Sequence, residues 1–104
     1  MVENENTVNT DDFLNITLRK PLEDESRNIR YEAITLTEPV LMQVEQFYDM
    51  QKKSNTLVAM RLLVSLVSGV PESIIRRLPY TEFRRCEEYM TGFLTWSPSG
   101  TGGS

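Results

Sequence analysis

The chain has 104 residues, 39% hydrophobic and 25% charged, with a formal net charge of −4, a balance that fits one domain with a modest core needing neither disulfides nor metal. It contains no histidine and one cysteine, Cys86, which excludes imidazole acid–base chemistry, His-containing or multi-Cys zinc sites and an internal disulfide, and points to a reducing compartment such as the cytoplasm. The N-terminus MVENENTVNTDD lacks the basic and apolar runs of an export signal, and the most apolar stretch, 57–70, is interrupted by Arg61 and is shorter than the roughly 20 residues a bilayer span needs.

Residues 1–12 hold almost no apolar side chains and are expected to form a disordered acidic tail. From Phe13, Leu14, Ile16 and Leu18 alternate with Asn15, Thr17 and Arg19, the period-two pattern of a half-buried strand that Pro21 is expected to end. The polar run EDESRN supplies a turn, and Ile29 to Leu36 alternates again with β-branched and aromatic residues, so the two strands read as a hairpin. A hairpin alone is marginal in water and must lay its apolar face on something. Beyond the hairpin the pattern turns helical. Thr37 reads as an N-cap with Glu38 and Pro39 behind it, and Val40, Leu41, Val44, Phe47 and Tyr48 put an apolar stripe on a helix running to about Met50.

Ser54 reads as the N-cap of a second helix, apolar nearly all round from Leu57 to Val67 and therefore covered on most sides. Gly69 stands where a left-handed C-terminal residue is wanted. Pro71 and Glu72 open a short third helix carrying Ile74, Ile75 and Leu78. After Pro79, a last helix from about Tyr80 to Thr95 spaces Phe83, Cys86, Met90, Phe93 and Leu94 along one face. The expected architecture is a single α+β domain over 13–96, an N-terminal β-hairpin followed by three or four helices in a small bundle, with a flexible Gly/Ser tail at 97–104.

The charges are unevenly spread. Residues 1–51 carry four basic and eleven acidic side chains, whereas residues 52–104 carry seven basic and four acidic, a dipolar layout that solvated surface charge alone explains and that is also compatible with head-to-tail contacts between copies. No constellation for catalysis stands out: Glu87 and Glu88 splay apart on a helix, the Glu23–Glu25 run lies in a turn, and Cys86, on an apolar stripe, has no histidine to act as its base. The protein is therefore expected not to be an enzyme and to use no cofactor or metal. The pairs Lys52-Lys53, Arg76-Arg77 and Arg84-Arg85, with a helix-turn-helix cadence in SLVSGVPESIIRRL, leave a small DNA-binding regulator as an alternative. Methionines and aromatics in the helical half suit a surface that binds apolar helices.

The ordered series ITLRKP, YEAITLTEPV, LVAMRLLVSLVSGVP and ESIIRRLPYTEFRRCEEYMTGFL resembles the tail assembly chaperones of long-tailed phages, particularly the small Mu-like type. In that family a strand reading leucine, basic or polar, proline precedes a threonine-leucine-x-glutamate-proline helix start, and a leucine-x-x-glycine-x-proline element precedes the last helices. Ile16 to Pro21, Thr35 to Pro39 and Leu66 to Pro71 match these elements, and the similarity runs from Asn15 to Leu94. The chain departs from the family in having Phe47 and Tyr48 where smaller residues are frequent.

The resemblance implies that the protein binds the tape measure protein, keeps it soluble in the cytoplasm of the bacterial host and helps tail tube protein assemble around it. It also implies absence from the finished virion, with a structural tail subunit as the competing reading; a homo-oligomer is compatible with the resemblance, and the sequence leaves the oligomeric state open. Family members are often made with a longer, frameshifted product. The expected client groove lies on the second and last helices, lined by Leu57, Met60, Val64, Phe83, Met90, Phe93 and Trp96.

Overall fold

The computed structural model of the chain describes residues 13–96, so the two expected tails lie outside the described residues. The order of elements is β1 (Phe13–Asp24), β2 (Ile29–Thr37), α1 (Leu41–Lys53), α2 (Thr56–Ser68), α3 (Glu72–Ile75) and α4 (Tyr80–Leu94). This is the expected α+β arrangement, a hairpin followed by four helices.

The strands pair antiparallel from Phe13 with Thr37 to Thr17 with Ala33, and again from Leu22 with Tyr31 to Asp24 with Ile29. Between these blocks, residues 18–21 of β1 stand opposite the single residue Glu32 of β2. The bulge explains why Pro21 does not end β1 as expected: a residue without an N–H is tolerated where the ladder is already broken. The turn at 25–28 is closed by Arg27 N–H donating to the Asp24 carbonyl at 3.2 Å, and Asn28 takes the left-handed conformation, φ 57°, that its short amide tolerates.

Ile16, Leu18, Ile34 and Leu36 form the buried face of the hairpin, while the opposite face carries polar residues such as Asn15 and Thr35, joined by a 2.7 Å hydrogen bond. The helices supply the cover. α2 is the central element, touching α1, α3, α4 and β2, with Ala59, Met60, Leu63 and Val64 buried. Its apolar composition therefore does what the sequence requires. Val70, Ile74, Ile75, Leu78, Phe83, Cys86 and Met90 complete one continuous core.

Helix boundaries differ from expectation in two places. Thr37 is the last residue of the β-ladder, opposite Phe13, and so is not free to cap; α1 starts after Val40, whose N–H donates to the Gln43 side chain at 3.0 Å. Gln43 also donates to the Leu66 carbonyl at 3.3 Å, pinning the start of α1 to the end of α2. At α2 the cap is Asn55, not Ser54: its side chain accepts from Val58 N–H at 2.9 Å, while Ser54 closes α1 by donating its own N–H to Met50 at 2.8 Å. Gly69 ends α2 with φ 78°, as expected of a left-handed cap.

α1 also corrects an expectation about burial. Of its predicted apolar stripe only Phe47 is buried, whereas Val40, Leu41 and Tyr48 are exposed. The helix is an outer one, lying chiefly against α2, and one neighbour cannot cover so broad an apolar arc.

Candidate interaction surface

The β-bulge and the start of α4 are fastened together. The Arg19 backbone N–H, released from the ladder by the bulge, donates to Glu82 Oε2 at 3.0 Å. The Arg19 guanidinium adds 3.3 Å to the same oxygen and 3.0 Å to Thr81 Oγ1. Glu82 is buried in the first turn of α4, where the helix dipole favours an anion, and its other oxygen, Oε1, has no hydrogen-bond partner.

That fastening places Tyr80 and Phe83 beside the start of α2. A groove forms there, lined by Leu57, Arg61, Ile75, Arg76, Leu78, Tyr80 and Phe83. Its floor is core: Ile75, Leu78 and Phe83 are buried. Its rim is Leu57 at 56% and Tyr80 at 64% exposure, flanked by two arginines. Arg61 is engaged with Glu72 at 3.1 Å.

A second apolar surface lies at the far end of α4, where Phe93 and Trp96 meet Glu38, Pro39, Leu41 and Val44. Phe93 is steadied by Tyr89, ring centroids 5.1 Å apart in an edge-on arrangement. Leu41 and Trp96 are among the most exposed apolar residues described, at 73% and 68%, and Val40 and Met42 extend the patch along the start of α1.

The seven residues picked out from the sequence thus divide three ways. Leu57 and Phe83 line the first groove, and Phe93 and Trp96 line the second surface. Met60, Val64 and Met90 are buried at 2% exposure or less and hold the helices together; no partner reaches them in the folded chain. The expected single groove on α2 and α4 is therefore two surfaces at opposite ends of α4, some thirteen residues or about 20 Å apart along the helix. Sequence reasoning missed Tyr80, which Pro79 sets at the first helical position, and Leu41, which its periodicity assigned to a core stripe.

Each basic pair has one member engaged, Lys53 with Asp49 at 3.0 Å in the first. Arg77 donates to the Glu23 carbonyl at 2.8 Å and Arg84 pairs with Glu87 at 3.0 Å. The helix-turn-helix cadence resolves into α3, four residues long with Ile74 and Ile75 buried, too short to present a recognition face to a groove of duplex DNA. Burial pushes the Cys86 thiol up to about 11 from its ordinary 9.0, so it stays protonated at neutral pH. Among the described residues no group of three or more carboxylate or thiol side chains is placed to hold a metal ion, and no helix is long and apolar enough to cross a membrane.

Apolar side chains are therefore what this surface offers. A family model described as phage tail assembly chaperone proteins, E, or 41 or 14, matches residues 15–95. No curated protein and no solved structure matches.

Proposed function

The chain belongs to the phage tail assembly chaperone family, and we propose on that premise that it binds the tape measure protein in the cytoplasm of the host bacterium. It keeps that long helical client soluble while tail tube protein assembles around it, and it leaves before the virion is finished. Long helices with apolar stripes aggregate unless their stripes are covered. A non-enzymatic protein that offers apolar surface suffices for the task.

The observation that carries this reading is the pair of apolar surfaces that the fold leaves uncovered although it has a closed core of its own. Leu57 and Tyr80 stand over one, and Leu41 and Trp96 over the other. Either surface accepts an amphipathic helix through anchors spaced three and four residues apart. The matched region, 15–95, contains both surfaces apart from Trp96.

The test is co-expression with the tape measure protein from the same gene cluster. The expected result is a soluble, co-purifying client in the presence of the wild-type chain and an insoluble client with a Leu57→Asp, Trp96→Ala double variant. A client that stays insoluble beside a soluble wild-type chain excludes the chaperone role, and retention of the chain in purified particles favours the structural subunit.

A further inference from the structure

The two apolar surfaces are edged by opposite charge, and we infer that the Leu57–Tyr80 groove takes an acidic helix of the client, an amphipathic segment whose apolar stripe is flanked by Asp or Glu. The described residues that line the groove include two cations, Arg61 and Arg76, and no carboxylate. Those that line the Leu41–Trp96 surface include one carboxylate, Glu38, and no cation. A helix with acidic flanks is therefore attracted to the first surface and repelled from the second. The two cations stand on different elements: Arg61 lies one turn along α2 from Leu57, and Arg76 follows Ile75, the last residue of α3. The apolar floor accepts anchors spaced three and four residues apart, and carboxylates flanking those anchors meet the guanidiniums.

Arg76 is available for this contact. It is exposed and makes no side-chain hydrogen bond or ion pair with any described residue, whereas its neighbour Arg77 is engaged with the Glu23 carbonyl at 2.8 Å. Arg61 is held by Glu72 at 3.1 Å, but the two side chains keep 30% and 40% exposure, and an ion pair that open to water is weak. A client carboxylate that reaches Arg61 exchanges with Glu72, which returns to solvent. Glu72 is thus a competitor built into the groove and Arg76 the residue that selects charge, while burial of Leu57 and Tyr80 supplies the affinity. That the helix belongs to the client rests on the chaperone reading; the sign of its charge rests on the groove alone.

Fluorescence anisotropy with the full chain and two labelled peptides of about four helical turns tests it. Both peptides carry the same leucines at three- and four-residue spacing; one flanks them with glutamate, the other with lysine. The glutamate peptide is expected to bind about tenfold more tightly or better and to weaken as salt is added. Arg76→Glu is expected to abolish the preference, and Glu72→Gln, which frees Arg61, to tighten glutamate-peptide binding by about two- to threefold. Arg85→Glu is the control. Arg85 is likewise exposed and makes no hydrogen bond or ion pair with a described residue, but it does not line the groove, so its reversal leaves the preference in place. None of the three positions is buried, and circular dichroism checks that each variant folds. Peptides that bind equally, a preference that survives Arg76→Glu, an Arg85→Glu effect as large as that of Arg76→Glu, or a glutamate peptide that does not bind each overturns the inference. So does binding that fades as the chain is concentrated, which shows the groove filled by a second copy. These outcomes leave the co-expression test untouched, and an insoluble client beside a bound glutamate peptide excludes the chaperone role while the charge preference of the groove stands.

Discussion

Met60 and Leu57 lie three positions apart on α2, yet the first is 2% and the second 56% exposed, and replacing each by alanine separates core from surface. Met60→Ala empties a site enclosed by the sheet and the other helices, for which truncation costs about 2–5 kcal/mol. Against a total stability of about 5–10 kcal/mol for a domain of this size, a loss near 3 kcal/mol is a large fraction. With a urea m-value of about 1.5 kcal/mol/M it lowers the unfolding midpoint by about 2 M. Leu57→Ala removes a side chain already largely in water and should move stability by no more than about 0.5 kcal/mol, a midpoint shift of a few tenths molar. Far-UV circular dichroism against urea gives both midpoints, with unchanged m-values showing that the comparison is valid. In native buffer Met60→Ala should still capture the client while Leu57→Ala captures less. A Leu57→Ala midpoint that falls as far as that of Met60→Ala would show that Leu57 belongs to the core, and the first groove would then keep only Tyr80 as its rim.

Glu82→Ala leaves the Arg19 N–H in the bulge without its acceptor and is expected to destabilise by about 1–3 kcal/mol, read as a lowered urea midpoint; an unchanged midpoint would mean that the bulge does not hold α4. Gly69→Ala meets no neighbouring atom within 4 Å, so its expected loss of about 1 kcal/mol comes only from the left-handed backbone that an alanine resists, and thermal unfolding checks it. Cys86 carries a folded-state pKa raised from 9.0 to about 11. The folded state therefore holds its proton longer than the unfolded chain, and stability present below pH 9 is lost as pH rises toward 11; urea midpoints across that range, compared with Cys86→Ala, isolate the contribution. At pH 8 the native thiol should react with a disulfide reagent far more slowly than the unfolded one, and equal rates would place it outside the core.

The hairpin, the helix order and the glycine and proline punctuation were legible because each is a local signal. Period-two alternation, a left-handed cap at Gly69 and prolines before α3 and α4 act within a few residues. One further local signal is visible in β2: its apolar positions switch from 29, 31 and 33 to 34 and 36, and the register shift at residues 18–21 of the partner strand is its structural counterpart. Misplaced caps at Thr37 and Ser54 had a different origin. Both residues have the right chemistry, but Thr37 was claimed by the ladder and Ser54 by the end of α1, and pairing of that kind is settled between elements.

What the sequence by itself determined is the set of elements and the family, since both rest on residue types at short fixed spacings. What only the tertiary structure decided is which apolar side chains face outward. Periodicity puts Leu57 and Met60, or Leu41 and Phe47, on apolar helices without saying how many neighbours each helix has. α2 is covered along most of its length and hides Met60 and Val64, whereas α1 has one main neighbour and leaves Leu41 and Met42 in water. Burial depends on the packing of whole elements against one another, and the same apolar residue is core or docking surface according to where the neighbouring helix ends.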